Sequence, residues 1–268
     1  MKVIDIYDKN SDIRSYGKNI FKTMKTFLSK YPSEYSECYY HNLDTLALFK
    51  EDRFPDGITT GLYNSSANII FFTTGDNLGH EMFHMASNDL VNKQYAFESP
   101  IGIEHGLIEG MTEYLNIKAY NLTRPNSYSF HVFCVMMMED IPNLFRSYFI
   151  PSHEDFIKLF PRAKDIYSLL YSLSVYNDNI YDYIASEYVD SNSLVDLTTI
   201  IETVESTIDN LISIELSFNG NNPYKLNEYG NKFMDLIRSS YLRDNFKDIY
   251  PDYDKYAEKE IKKRIRGR

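Results

Sequence analysis

The chain has 268 residues and a mass of 31.5 kDa, of which 43% are hydrophobic and 25% charged, as in ordinary folded domains. Lys and Arg number 28 against 38 Asp and Glu, so the net charge is −10. This acidity disfavours a general nucleic-acid binder, which needs a basic surface. The two cysteines, Cys38 and Cys134, are too few for a disulfide scaffold or a cysteine-based zinc site.

Two further features of the sequence bear on its surroundings. The longest apolar run, residues 132–138, is seven residues long, whereas a membrane span needs about 20. We therefore expect a cytoplasmic protein with no membrane partner, with signal-independent export left open. Residues 255–268 carry seven basic and two acidic side chains. Their expected role is a solvated helix end, and the alternative is contact with an anionic surface or RNA.

The N-terminal third shows short β-branched and aromatic runs that predict a small sheet. Two of these runs are joined by Asn64-Ser65-Ser66, which indicates a hairpin. Residues 39–50 are ambiguous, with a possible strand at 45–49. The predicted strands cover residues 3–7, 58–63 and 68–73, and apolar residues at helical spacing predict a helix over 12–29.

The remaining two thirds of the chain are predicted to be mainly helical. A helix over residues 78–89 would be capped by Asp76 or Asn77, and a second would cover residues 102–120. Later helices are predicted at 165–176, 194–216 and 229–249, with a loop at 219–223. The pattern predicts an α+β protein forming a single unit over 1–268, with an N-terminal α/β lobe at 1–90 and a helical lobe at 91–268.

One motif in the first of these helices carries metal chemistry. Residues 80–84 read His80-Glu81-Met82-Phe83-His84, an H-E-x-x-H pattern. On a helix, positions i and i+4 share a face, so both histidines can bind one metal ion. Glu81 lies beside that face and can act as general base on a water molecule. The alternative is a pair of core histidines with satisfied hydrogen bonds.

A third ligand is predicted on the following helix. Glu109 and Glu113 are again four residues apart, and buried carboxylates among apolar neighbours need a neutralising partner. We assign Glu109 as the third metal ligand and Glu113 as the acceptor that orients a ligand histidine. Gly106 and Gly110 are expected to let the two helices approach closely.

Together, His80–His84 and the later run Glu109-Gly110-Met111-Thr112-Glu113-Tyr114 resemble the gluzincin metallopeptidases, whose pattern is H-E-x-x-H followed by E-G-x-x-E-Y. The resemblance covers about residues 78–115. It implies a zincin-like fold, one Zn²⁺ ion, a peptide or protein substrate and hydrolysis of peptide bonds. It also implies that residues 68–73 form the edge strand that aligns the substrate. The sequence lacks a G-A-M-E-N-type segment, and exo- or endopeptidase specificity stays open.

The residue that stabilises the oxyanion of the intermediate is not selected by any spacing. His105, four residues before Glu109, is expected to face solvent rather than join the site. With 24 tyrosines in the chain, each remaining candidate is more readily explained by packing or surface exposure. These candidates are His131, His153, Tyr167, Tyr171 and Tyr176.

Two other functions stay open at this point. The first is a binding or regulatory protein that keeps the zincin scaffold without turnover. The second is a toxin or effector protease with one dedicated protein target. Substrate specificity and oligomeric state are not predicted, because the residues that would line a cleft are scattered along the chain.

Overall fold

The computed structural model describes residues 6–7, 12–189, 197–220, 222–239 and 246–266. Parts of four predicted elements lie outside these residues: positions 3–5 of the first strand, 194–196 of one helix, 240–245 of another and 221 of the predicted loop. Helices make up most of the described chain, and the strands form a small mixed sheet. This architecture confirms the predicted α+β class.

The sheet has four short strands in the order β1-β2-β4-β3. β2 pairs in parallel with both β1 and β4, and β3 pairs antiparallel with β4. The last pair is the predicted hairpin, whose turn is held by Asn64 Oδ1 accepting from the Ala67 N–H at 3.0 Å. The strands are β1 (Ile6–Tyr7), β2 (Ala47–Lys50), β3 (Gly61–Asn64) and β4 (Ile69–Phe72).

The prediction that residues 68–73 form the edge strand is wrong. β4 lies inside the sheet, with Ile70 paired to Leu48 on one side and to Tyr63 on the other. Its uninterrupted apolar sequence suits an interior strand that needs no polar face. Among the described strands, β3 is the edge next to β4, and its residues alternate in exposure.

The helices follow the predicted order, with shifted ends. Asn222 caps one of them by accepting from the Tyr224 and Lys225 N–H groups, so the helix begins at Pro223, inside the predicted loop. A short strand pair, β5 (Asn88–Asp89) and β6 (Gln94–Tyr95), follows the third helix. The helices are α1 (Asp12–Leu28), α2 (Glu37–Leu43), α3 (Gly75–Ala86), α4 (His105–Tyr120), α5 (Ser129–Met138), α6 (Leu144–Phe149), α7 (His153–Lys158), α8 (Ala163–Val189), α9 (Leu197–Asn219), α10 (Pro223–Arg238), α11 (Phe246–Ile249) and α12 (Tyr253–Ile261).

The chain divides into two compact units that interleave along the sequence, whereas the sequence predicts contiguous lobes at 1–90 and 91–268. The first unit contains the sheet, and later segments join it through side-chain packing: the Phe149 ring, for example, stacks on Tyr35 with centroids 5.6 Å apart. The first unit comprises Met1–Glu98, Thr112–Thr123 and Phe145–His153, and the second comprises Ser99–Met111, Arg124–Leu144 and Glu154–Arg268.

The basic C-terminal segment belongs to the second unit and forms several ion pairs there. Lys262 pairs with Glu258 at 2.8 Å, and Arg264 pairs with Asp209 at 3.0 Å. These contacts fit the expected helix end. Within the described ranges, no helix combines the length and the apolar character that crossing a bilayer requires.

Candidate metal centre

Helix α3 begins earlier than predicted and has a different cap. Thr74, rather than Asp76 or Asn77, is the N-cap, and its hydroxyl accepts from the Asn77 N–H. Thr74 has an extended backbone conformation, and its hydroxyl satisfies one of the N–H groups that a helix start leaves without partners. The helix therefore starts at Gly75. At the other end, Asn42 Nδ2 donates to the Met85 carbonyl at 2.9 Å. Both ends of the helix that carries the motif are thus held by side chains.

The three motif residues on α3 are almost fully buried. His80, Glu81 and His84 expose 8%, 6% and 4% of their surface. The Nε2 atoms of the two histidines face each other at 3.0 Å. Two nitrogens bound to one zinc ion at about 2.0–2.1 Å lie roughly 3.0–3.5 Å apart at near-tetrahedral angles, so this separation is close to that of a shared ion.

Helix α4 supplies the carboxylates. Glu109 and Glu113 lie one turn apart on this helix and are both buried. One ligand atom each from His80, His84 and Glu109 lies within 4.8 Å of the other two. This buried group of two imidazoles and one carboxylate could hold a metal ion.

Glu113 contacts the outer nitrogen of His80. Its Oε2 lies 2.8 Å from His80 Nδ1 and also accepts from Asn116 Nδ2 at 3.3 Å. An ionised carboxylate can only accept, so Nδ1 carries the proton in this contact and the Nε2 lone pair stays available for a metal. Glu113 is therefore placed to orient the His80 ring.

The outer nitrogen of His84 contacts hydroxyl groups instead. His84 Nδ1 contacts the Tyr95 hydroxyl and lies 3.2 Å from Thr112 Oγ1, which in turn lies 2.7 Å from the Tyr148 hydroxyl. Sequence reasoning missed all three partners. Thr112 could have been found, because it directly precedes Glu113 and follows Glu109 by three residues on α4. Tyr95 and Tyr148 have no distinguishing spacing.

The expectation that Gly106 and Gly110 bring α4 close to α3 is wrong. A methyl group at Gly106 would lie 2.9 Å from the Leu173 carbonyl oxygen of α8, and one at Gly110 would lie 2.7 Å from the His131 carbonyl oxygen of α5. The close approach to α4 comes instead from Gly79 of α3, where a methyl group would lie 2.7 Å from Asn116 Oδ1. The glycines of α4 face α8 and α5 rather than α3, because α4 packs against helices on more than one face.

Three histidines that we do not assign to the site from the sequence lie in different environments. His105 is half exposed, as expected, although its Nε2 lies 3.6 Å from Glu109 Oε1. His131 is buried on α5, and neither of its ring nitrogens has a hydrogen-bond partner within the described part of the chain. Burial lowers the pKa of His131 to about 3, while Glu109 acts to raise this pKa and His105 to lower it. The His131 ring is therefore neutral at pH 7. His153 Nδ1 donates to the Phe97 carbonyl at 3.1 Å.

The three tyrosine candidates divide by exposure. Tyr167 and Tyr171 are exposed on α8, whereas Tyr176 of the same helix is fully buried. The Tyr176 ring packs against Phe130 and His131, with centroids 4.9 and 5.3 Å away. The structure therefore leaves the oxyanion-stabilising residue unassigned.

The donor set and its surroundings fit a divalent transition metal. Two neutral imidazoles with one carboxylate suit Zn²⁺, and also suit iron or cobalt, because these ions accept nitrogen and oxygen ligands. The contact between His80 and the Glu113 carboxylate is of the kind found at ligand histidines in general. Comparison of the chain with protein-family models, with curated proteins and with solved structures finds no match.

Proposed function

We propose that this protein is a zinc-dependent peptidase of the gluzincin type with a zincin-like fold. The observation that carries the proposal is the pair of Nε2 atoms that face each other 3.0 Å apart, within reach of the Glu109 carboxylate. His80, His84 and Glu109 would hold one Zn²⁺ ion through two imidazole nitrogens and one carboxylate oxygen. Glu113, Tyr95 and Thr112 would keep the two imidazoles oriented.

Glu81 carries the proton transfers in the proposed reaction. A bound zinc ion supplies Lewis-acid chemistry, lowering the pKa of a water molecule toward about 7 and polarising the peptide carbonyl. Glu81 lies one residue after His80 on α3, so its carboxylate can take a proton from the attacking water. The same carboxylate then gives that proton to the leaving amine, which releases the two products.

The edge strand β3 takes over the substrate-aligning role that the sequence assigns to residues 68–73. Thr73 N–H donates to the Thr60 carbonyl at 3.0 Å, which makes positions 60 and 73 a hydrogen-bonded pair. In an antiparallel ladder such pairs alternate, so the N–H and C=O groups of Gly61 and Tyr63 point away from β4. An extended peptide could add to the sheet at this edge through main-chain hydrogen bonds.

Cleavage-site profiling on a library of proteome-derived peptides tests the proposal. The wild-type protein, loaded with one equivalent of Zn²⁺, should cleave library peptides, and a chelator should abolish the cleavage. Glu81→Gln should keep the bound zinc and lose cleavage by at least about 10³-fold, because the amide cannot accept the proton. The set of cleaved bonds would also show whether the protein acts within chains or at their ends.

Glu154→Gln is the matched control. Glu154 is exposed and pairs only at the surface with Lys158 at 2.8 Å, so this change should leave both zinc content and cleavage unaltered. Equal cleavage by wild type and Glu81→Gln would contradict the mechanism. A zinc-loaded wild type that cleaves no peptide would contradict the function and favour a scaffold without turnover.

A further inference from the structure

Gly61 is a glycine within a strand, where this residue needs a reason. Glycine in a strand costs roughly 0.5–1 kcal/mol relative to alanine because it loses more freedom on folding. Gly61 does not belong to the glycines with positive φ, so its backbone conformation is open to any residue. A glycine in an ordinary strand conformation often marks a place where another group approaches closely.

The group that approaches Gly61 is the Glu81 side chain. A methyl group at position 61 would lie 2.5 Å from Glu81 Oε1, 3.0 Å from its Cγ and 3.1 Å from its Cδ. At Gly106 and Gly110 the methyl group would instead meet backbone of a neighbouring helix. Gly61 thus differs from these two, because its missing side chain makes space for the residue that we assign as general base.

We propose that Gly61 is a positioning residue that sets the place of the Glu81 carboxylate. The inference rests on the proposed peptidase function and extends it to a residue of the edge strand. With only hydrogen at Cα of Gly61, the carboxylate can lie directly against β3. Any larger residue at position 61 forces the carboxylate away from β3, because the main chain of β3 is held by its pairing with β4.

The expected displacement is large enough to matter for catalysis. An ordinary carbon–oxygen contact is at least 3.4 Å, so a methyl group 2.5 Å from Oε1 requires a shift of about 1 Å. A misplacement of 1 Å in an active site can lower the rate by about 10²-fold. The fold itself should tolerate the change, since alanine is favoured over glycine in a strand.

Gly61→Ala tests the proposal kinetically and structurally. It should lower kcat about 100-fold with little change in KM, while the protein keeps its zinc content and thermal stability. Glu154→Gln, on the surface of α7, is the control, and its kcat should stay within about twofold of wild type. A crystal structure of Gly61→Ala should show the Glu81 carboxylate displaced by about 1 Å and β3 in place.

A double-mutant cycle with Glu81→Ala separates an effect on the general base from an effect on substrate binding. Alanine at position 81 lacks the Cγ, Cδ and Oε1 atoms that the added methyl group would meet. Adding Gly61→Ala to Glu81→Ala should therefore lower the residual kcat by less than about threefold. An undiminished 100-fold loss in that background would overturn the proposal, as would an unmoved Glu81 or a Gly61→Ala variant as active as wild type. A wild type without peptidase activity would instead overturn the proposed function, and with it the effect of Gly61 on catalysis, whatever the crystal structure shows.

Discussion

His80 and His84 lie one turn apart on the same buried helix, yet their outer nitrogens are held by different chemistry. His80 Nδ1 contacts the Glu113 carboxylate, which also accepts from Asn116. His84 Nδ1 contacts hydroxyl groups of Tyr95 and Thr112. Within one candidate metal site, the chain therefore uses a charged partner for one ligand and neutral partners for the other.

The difference affects how firmly each imidazole is held in the tautomer that leaves Nε2 free to bind a metal. A carboxylate only accepts, so it requires the proton on Nδ1 and leaves Nε2 free to bind. A hydroxyl can donate or accept, so the His84 contacts permit either tautomer until a metal selects one. A charge-assisted hydrogen bond is also roughly twice as strong as a neutral one. We expect the metal site to depend more on Glu113 than on Tyr95 or Thr112.

Replacing the charged partner should give the largest effect. Glu113→Gln keeps the size of the side chain but removes its charge, and its amide can present either oxygen or nitrogen to His80. Zinc affinity should fall about 10–100-fold, the range typical of outer contacts to ligand histidines. Competition with a chelating dye at fixed pH measures this loss, and Glu154→Gln, on the surface, should show none. An affinity unchanged by Glu113→Gln would remove the proposed contrast between the two histidines.

His131 extends the comparison to a buried histidine whose ring has no hydrogen-bond partner in the described ranges. Its pKa, lowered to about 3 in the fold, lies below the value of about 6.5 in an unfolded chain. Below pH 6.5 the unfolded chain gains a proton that the folded chain does not, so stability falls as the pH drops toward 3. At up to 1.36 kcal/mol per pH unit, this contribution reaches about 2 kcal/mol between pH 7.5 and pH 5.

His131→Phe should remove that acid sensitivity. In urea unfolding of the metal-free protein, the variant should lose about 2 kcal/mol less stability than wild type between pH 7.5 and pH 5. The comparison with wild type cancels the contributions of the other titrating groups. An identical loss in both proteins would show that His131 becomes charged within the fold or gains a partner there.

Removing the two hydroxyl groups that contact His84 should lower zinc affinity less than Glu113→Gln does. Tyr95→Phe combined with Thr112→Val keeps the shapes of both side chains and leaves Nδ1 without either partner. Zinc affinity should fall about tenfold, at the lower limit of the range for outer contacts. Isothermal titration calorimetry in the presence of a competing chelator measures this affinity. If zinc affinity fell further than in Glu113→Gln, the hydroxyl contacts of His84 would matter more than the carboxylate contact of His80.

Tyr95→Phe alone should give the smallest effect. Thr112 Oγ1 still lies 3.2 Å from His84 Nδ1 and can take over the hydrogen bond. The net contribution of a typical hydrogen bond is about 1 kcal/mol, and loss of this one is partly compensated by Thr112, so zinc affinity should fall no more than about fivefold. If this variant matched the double variant in the same titration, Tyr95 would be the only hydroxyl that matters.

Local spacing explains which parts of the site the sequence could predict. His80, Glu81 and His84 lie within five residues, and Glu109 and Glu113 lie four residues apart on one helix, so helical periodicity places each set on one face. Tyr95 reaches His84 from β6, 11 residues along the chain, and Tyr148 reaches Thr112 from α6, 36 residues along it. Nothing in the spacing of 24 tyrosines marks either residue, so these contacts follow from the fold.

The same reasoning applies to the sheet. The hairpin of β3 and β4 was predictable because its strands are adjacent in sequence. The interior position of β4 depends on its parallel pairing with β2, from which it is separated in sequence by β3. We therefore propose β3, rather than β4, as the strand that aligns a substrate. The closeness of Gly61 to Glu81 also depends on the fold and is seen only in three dimensions.

X-ray absorption spectroscopy of the protein loaded with one equivalent of Zn²⁺ tests the central claim, that His80, His84 and Glu109 bind one metal ion. Binding by these three residues predicts two imidazole nitrogens at about 2.0–2.1 Å, with the remaining positions filled by oxygen at about 2.0–2.2 Å and no sulfur. His84→Ala should reduce the imidazole count to one. A site with three imidazoles, a sulfur ligand or zinc bound at less than one ion per chain would contradict this ligand set.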